Sequence, residues 1–345
     1  MAEYVMLLAP SANRVYADAA VPLTLAELAV FNQAVLGQRL TDLAQLTLAG
    51  VAYLRFGAAD LTDRDLAYLA NASSLYALFE RQGGLLRPIE LTRLDRFDDD
   101  LITIQKYPGK TNEQFTKLLL NVTLLASASA PAMLDRRLRV LDPLCGRGTT
   151  LNQVLTYGYD AAGVDLDGKD FDAYAGFVQT YLKRKKIKHQ VQLGPVRRER
   201  KVVGKRLTVS LAATKDDYQA GERLSLDVVH TDTVRALEFF RPESFDALVT
   251  DAPYGVQHGS RTVARGLRRG PMDLLGEAAP VWARLLRPGG AMGIAWNTHV
   301  ASRDVAAAVL TQAGLEVLAG GPYEQFRHRV DQAITRDILI ARRPA

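Results

Sequence analysis

The sequence holds one cysteine in 345 residues, no cysteine and histidine cluster with zinc spacing, and no run of about 18 uninterrupted apolar residues of the kind a membrane-spanning helix needs. Each absence removes a class. A lone Cys145 cannot form an internal disulfide, which fits a reducing compartment and makes the cytosol the expected location. No structural metal is expected. The N-terminal stretch MAEYVMLLAPSANRVYADAAV has a short apolar run but no basic residues ahead of it, so neither a secretion signal nor a membrane anchor is expected. What is present is 48% apolar and 23% charged residues, enough to bury a substantial core and inconsistent with a disordered or fibrous chain. At roughly 100 to 200 residues per domain, the length predicts two domains or one and a half.

The net charge of +5 averages over unequal parts. Residues 1–100 carry 8 basic against 13 acidic side chains, a net of −5, so the remainder carries +10. Between Lys183 and Arg206 stand 11 basic residues and one acid, Glu199, which accounts for that whole excess. A local basic block of this kind is the footprint of a polyanionic partner, and nucleic acid is the expected one.

Segment 1–100 alternates strand-like pieces (4–8, 44–48, 51–56, 75–79) with helix-like ones (23–36, 63–71), a small α+β unit ending at the acidic run Asp98–Asp99–Asp100. The boundary is placed near 100. From Thr111 onward, Thr111 and Gln114 have the spacing of a capping box ahead of an amphipathic helix. Short apolar strands then alternate with helical stretches through 139–141, 161–165, 226–230, 247–250, 291–296 and 338–341. That pattern predicts an α/β domain over 101–345, a mostly parallel sheet with helices on both faces, interrupted by a basic insertion at about 183–221.

Two motifs carry chemistry. In Asp142-Pro-Leu-Cys-Gly-Arg-Gly-Thr-Thr150 a strand leads through a glycine turn into a helix, whose first amides favour negative charge. Asp165 follows Gly146 by 19 residues at the end of the next strand, where an acid can accept hydrogen bonds from both hydroxyls of a ribose. Leu151 stands where the dinucleotide fingerprint has its third glycine, which argues against a nicotinamide enzyme. Gly163 to Lys169 has the spacing of a phosphate loop, but Asp165 and Asp167 within it would repel phosphate and Asp170 replaces the magnesium-binding hydroxyl. The second motif is Asp251-Ala-Pro-Tyr-Gly255, directly after an apolar strand. The Asp251 carboxylate and the Ala252 carbonyl can each accept one N–H of a planar exocyclic amine, and Tyr254 can stack on its ring. Two such acceptors favour a localised lone pair aimed at an electrophile, which lowers a transfer barrier without a covalent intermediate.

Taken together, DPLCGRGT, GVDLD, Asp232 in HTDTV, DAPYG and the late Leu286-Arg-Pro-Gly-Gly290 resemble the class I S-adenosylmethionine-dependent methyltransferases. The order of the motifs is similar to that of the THUMP-associated RNA guanine-N2 methyltransferases, and KTNEQFTKLLLNV ahead of the first motif resembles their Trm11-like branch. The resemblance covers about 101–345 and implies a Rossmann-like sheet with S-adenosylmethionine as cofactor. It places Asp142, Cys145, Gly146, Gly148 and Thr149 around the methionine portion, Asp165 and Leu166 at the ribose, Asp232 and Thr233 at the adenine, and Asp251, Ala252, Pro253 and Tyr254 at the target base. Ala252 stands where the family shows the first proline of D-P-P-Y, and 1–100 is too short for both the small N-terminal domain and the THUMP domain of the longer family members.

RNA contact is therefore expected from the basic insertion, through Lys185, Lys186, Arg197, Arg198, Arg200 and Lys201, and from Arg261 and Arg265 after DAPYG. The expected activity is methyl transfer to an exocyclic base amine, with guanosine N2 in tRNA as the leading target and a small activating protein as a possible partner. The rivals are duplex DNA adenine-N6, a small molecule or protein amide, and a cofactor-binding regulator without catalysis. Cys145, Trp282 and Trp296 are expected to be packing residues, His258 a loop residue, and Asn71 and Asn121 have no role as glycosylation acceptors in the cytosol.

Overall fold

The computed structural model of the chain describes residues 2–11, 14–198, 201–252 and 270–345. The N-terminal unit runs β1 (Ala2–Leu8), α1 (Arg14–Ala34), β2 (Thr41–Leu48), β3 (Val51–Ala58), α2 (Asp63–Leu69), β4 (Leu75–Gln82) and β5 (Leu85–Ile89). Its five strands form an antiparallel sheet in the order β2-β3-β1-β4-β5. Strand β5 escapes the sequence pattern because Pro88 interrupts it; Pro88 lies opposite Phe79 on the outermost strand, where a missing N–H leaves no ladder bond unmade. Helix α1 likewise starts nine residues before the expected 23 and runs through Pro22. Burial of Tyr16, Ala20, Leu23, Ala26, Val30 and Phe31 along it outweighs the one backbone bond that proline removes. Among the described helices α1 alone is long and apolar enough to cross a membrane, and half of that stretch is buried within the fold.

The remainder continues α3 (Asp100–Thr103), α4 (Glu113–Ala126), β6 (Arg139–Asp142), α5 (Thr149–Thr156), β7 (Asp160–Asp165), α6 (Gly168–Arg184), β8 (Lys188–Arg198), β9 (Lys201–Ala212), α7 (Lys215–Ala220), β10 (Leu224–His230), β11 (Phe245–Asp251), α8 (Pro271–Leu285), β12 (Leu286–Asn297), α9 (Arg303–Gln312), β13 (Glu316–Val317), β14 (His328–Arg329) and β15 (Thr335–Arg342). The sheet order is β13-β15-β12-β11-β6-β7-β10-β9-β8, with β14 paired to β15. Its five central strands are parallel; β15 and β9 run opposite to them, and β13 and β8 pair antiparallel with β15 and β9 in turn. This is the Rossmann-like α/β sheet expected from the sequence. From β6 the chain winds outward through β7 and β10, then returns to the other side of β6 with β11 and β12, so the topological switch point lies between β6 and β11. The basic insertion is a hairpin, β8–β9, that extends the sheet beyond β10.

The two units share one core. Met6, Leu54, Phe56 and Phe31 of the first belong to the same buried cluster as Phe115, Leu118 and Leu119 of α4 and Tyr157 after α5. A buried polar network joins them as well. Glu27 of α1, fully buried, accepts the Ser73 N–H and hydroxyl (3.0 and 2.6 Å) and the Asn121 side-chain amide (2.7 Å). Asn121 also donates to the Asn71 carbonyl (2.8 Å) and accepts the Tyr157 hydroxyl (2.8 Å). Burial pushes the Glu27 carboxyl above its ordinary range, against those hydrogen bonds. Both sequons thus place their asparagines in the core, where no glycan could be attached.

Candidate active site

Three carboxylates end three adjacent parallel strands: Asp142 on β6, Asp165 on β7 and Asp251 on β11. Around the switch point a cleft of about 390 Å³ is lined by Asp142, Leu144, Cys145, Gly146, Arg147, Thr149, Thr150, Asp167, Lys169, Asp170 and Asp251, together with Tyr107, Pro108, Gly109 and Thr111. Both sequence motifs therefore open into one cavity.

Gly146 and Gly148 have φ of +49° and +76°, a conformation that side chains rarely adopt. A Cβ on Gly148 would stand 2.2 Å from the ring of Tyr174, which is itself buried and donates its hydroxyl to Asn152 (3.0 Å). Gly148→Ala is expected to cost about 2 to 4 kcal/mol, from overpacking and left-handed strain together. Urea denaturation would read this, and a variant as stable as the wild type would mean that the turn has another way to relax.

Asp165 ties the turn to β7: one oxygen accepts the Gly146 N–H and the other the Asp167 N–H, both at 2.7 Å. Each oxygen retains a second acceptor direction for a ligand. The next side chain, Leu166, is 65% exposed, while Asp167 caps α6 by accepting the Lys169 and Asp170 amides. Cys145 packs as expected: it is buried, its Sγ lies 2.8 Å from where a Cβ on Gly163 would be, and burial pushes its thiol well up. After β10, Asp232 caps a short 3-10 turn through the Val234 N–H (3.2 Å), and Thr233 is buried and accepts the Trp282 indole N–H (2.8 Å). Trp282 and Trp296 are both core residues.

Asp142 is completely buried, and desolvation pushes its carboxyl from 3.8 to about 7, against the Leu144 N–H it accepts. The folded protein thus keeps a proton that the unfolded chain releases near pH 4. Stability should therefore fall as pH rises from 4 to 7, by about 1.4 kcal/mol per pH unit at most. Burial shifts Asp165, Asp160 and Asp337 in the same direction, so the diagnostic is the comparison with Asp142→Asn. That variant should have a flatter pH–stability curve, and an unchanged slope would remove Asp142 as the source.

The second motif is built by distant segments. The Asp251 carboxylate accepts the Thr111 hydroxyl at 2.7 Å and pairs with Arg336 of β15 at 3.3 Å, and the Ala252 N–H donates to the Ala295 carbonyl (2.8 Å). The predicted Thr111–Gln114 capping box does not form. Asn112, itself a good cap, accepts the Phe115 N–H (3.0 Å), while Gln114 reaches the Ala9 carbonyl (3.1 Å). Tyr107 closes the cleft wall: its hydroxyl meets Thr149 Oγ1 at 2.8 Å, and Arg147 lies over its ring while pairing with Asp170 at 2.8 Å. Sequence reasoning missed Tyr107, Arg147 and Arg336; the Pro108–Gly109 turn ahead of α4 was the one local signal. Pro253, Tyr254, His258, Arg261, Arg265 and Arg200 lie outside the described residues.

The insertion's cations divide into two sets. Lys185 bonds Asp98 (2.7 Å) and Asp100, tying α6 to the acidic run. Arg198 reaches the Glu238 carbonyl and carboxylate and lies over Phe239, Lys205 pairs with Asp172, and Arg206 with Asp227. Lys186, Arg197 and Lys201 are exposed with no ion pair among the described residues.

No family model and no curated protein matches the chain. Among solved structures it is similar to a TehB-like SAM-dependent methyltransferase from Corynebacterium glutamicum (16% identity, 62% of this chain and 84% of that one, TM-score 0.33). It is also similar to the 1,6-didemethyltoxoflavin-N1-methyltransferase of Burkholderia thailandensis (17%, 64% and 77%, 0.36) and to the N-methyltransferase NodS of Bradyrhizobium japonicum (14%, 67% and 96%, 0.38). At these TM-scores the likeness carries no weight for substrate or chemistry, and the strand order and cleft residues stand on their own.

Proposed function

We propose that the protein is an S-adenosylmethionine-dependent methyltransferase acting on an exocyclic amine of a nucleobase in RNA, with guanosine N2 in tRNA as the leading target. The observation that carries this reading is that the glycine turn after β6 and the acceptor Asp251 at the end of β11 line one cleft at the switch point of the sheet. The cleft fits the cofactor: two positive-φ glycines open the turn's backbone, acids stand at the ends of β6 and β7, and an exposed Leu166 offers an apolar face beside Asp165. When bound, the cofactor supplies an electrophilic methyl group. The chain's own part is to orient the nucleophile. Asp251 and the Ala252 carbonyl accept the two amine hydrogens, and the nitrogen lone pair is thereby directed toward the cofactor side of the cleft.

The hairpin β8–β9 is the proposed RNA contact, narrowed to the exposed Lys186, Arg197 and Lys201. Lys185 and Arg198 already have carboxylate partners and are left out of the proposed contact set. Arg197→Ala combined with Lys201→Ala is expected to weaken tRNA binding and to reduce the slope of log K against log salt by about 2, leaving S-adenosylhomocysteine affinity unchanged. Filter binding across 50–200 mM salt tests this, and an unaltered slope would take the hairpin out of the interface. Methylation of duplex DNA but of no tRNA would favour the adenine-N6 reading instead.

A further inference from the structure

The Asp251 carboxylate lies where three segments far apart in sequence converge. One oxygen, Oδ2, receives both the Thr111 hydroxyl (2.7 Å) and the Arg336 guanidinium (3.3 Å). The Arg336 side chain is 6% exposed and lies 4.2 Å from the centroid of the Phe115 ring, on the first turn of α4. Phe115 packs on His328 (5.2 Å between centroids), which meets Tyr16 of α1 edge-on at 6.5 Å. Burial drives the His328 imidazole down to about 4, so it stays neutral beside Arg336 at pH 7. A continuous packed path thus runs from the N-terminal unit to the acid.

A carboxylate that orients an amine is effective only if its own side chain is fixed, because a displacement of about 1 Å in a reacting group can cost 10²-fold in rate. A lone carboxylate on a strand end turns about its terminal torsion, which has no sharp minimum. A hydrogen bond and an ion pair on one oxygen restrict that freedom, and the guanidinium supplies the counter-charge that a carboxylate at the buried end of a cleft requires. The stacked Phe115 ring and the hydrogen bond from the Ala252 N–H to the Ala295 carbonyl fix the two sides of the clamp. We propose that Thr111 and Arg336 are positioning residues for methyl transfer, holding Asp251 in the one orientation that accepts the substrate N–H. This rests on the reading of Asp251 as the amine acceptor.

The test compares Thr111→Val, Thr111→Ser, Arg336→Met, Arg336→Lys and Asp251→Ala in steady-state methyl transfer to tRNA, alongside thermal melting and S-adenosylhomocysteine affinity. Thr111→Val and Arg336→Met should lower kcat about 10- to 100-fold with the KM for the cofactor within about twofold. Thr111→Ser should restore most of the rate and Arg336→Lys part of it, a rescue that a merely structural role would not give. Thr111→Val folded and turning over like the wild type overturns the proposal, and this variant decides if Arg336→Met does not fold. Full activity of Asp251→Ala would instead remove the acceptor reading; an inactive Asp251→Ala beside a fully active Thr111→Val removes only the clamp. If tRNA is not a substrate, crystal structures of the wild type and Thr111→Val with S-adenosylhomocysteine decide. A turned Asp251 side chain in the variant supports the clamp, and an unchanged one overturns it.

Discussion

Replacing Asp251 by alanine is expected to reduce kcat for methyl transfer by about 10³-fold while leaving cofactor affinity within a few-fold of the wild type. The size follows from what is lost. Removing a preorganised group that acts on developing charge costs about 10² to 10³ in kcat, and loss of the fixed orientation of the amine adds to it. Cofactor affinity should survive because Asp165 is held by the Gly146 and Asp167 amides and Asp142 by the Leu144 amide, contacts in which Asp251 takes no part. Single-turnover rates with labelled S-adenosylmethionine, set against calorimetric binding of S-adenosylhomocysteine, would separate the two effects. An Asp251→Ala variant that methylates at the wild-type rate would mean that the amine is oriented elsewhere.

Glu27→Ala should destabilise the fold by about 3 to 5 kcal/mol, though Glu27 lies on α1, outside the sheet that carries the cleft. The substitution leaves the Ser73 amide and the Asn121 side-chain amide without their acceptor, at about 1 to 3 kcal/mol each, and adds a cavity. Because Asn121 lies on α4 and Ser73 in the N-terminal unit, the loss should appear as one cooperative shift of the whole chain and not as melting of the N-terminal unit alone. Chemical denaturation followed by both far-UV circular dichroism and tryptophan fluorescence would test this. Trp282 and Trp296 both lie in the second unit, so a change in the circular dichroism transition with an unaltered fluorescence transition would show that the units unfold independently.

The parts of the site that the sequence made legible are the local ones. A glycine turn between an apolar strand and a helix, and an acid at the end of an apolar strand, are each recorded in a few consecutive residues, and they survive in the fold as Gly146 with Gly148 and as Asp142, Asp165 and Asp251. The parts it hid are the pairings between distant segments. Thr111 looked like a helix cap because the spacing to Gln114 is that of a capping box, but its hydroxyl is used by Asp251, 140 residues away. Lys185 and Arg198 counted as free charge in a basic block, yet their partners, Asp98 with Asp100 and Glu238, come from other elements. The acidic run read as the end of a domain is thus also what neutralises part of the insertion. Arg336 gave no signal, since one arginine on an edge-proximal strand looks like surface until the fold places it beside an acid. The N-terminal boundary near 100 had a similar limit: composition changes there, while the hydrophobic core runs through it.

The proposed reaction of this cleft is methyl transfer to a base amine in RNA. Incubation of the protein with isotopically labelled S-adenosylmethionine and total tRNA, followed by nucleoside mass spectrometry, is the decisive experiment. Label is expected in an N-methylated nucleoside, N2-methylguanosine first, and is expected to be lost in Asp251→Ala. Label on ribose oxygen or ring carbon, or no label in any nucleic acid by a protein that binds the cofactor, would contradict that reading.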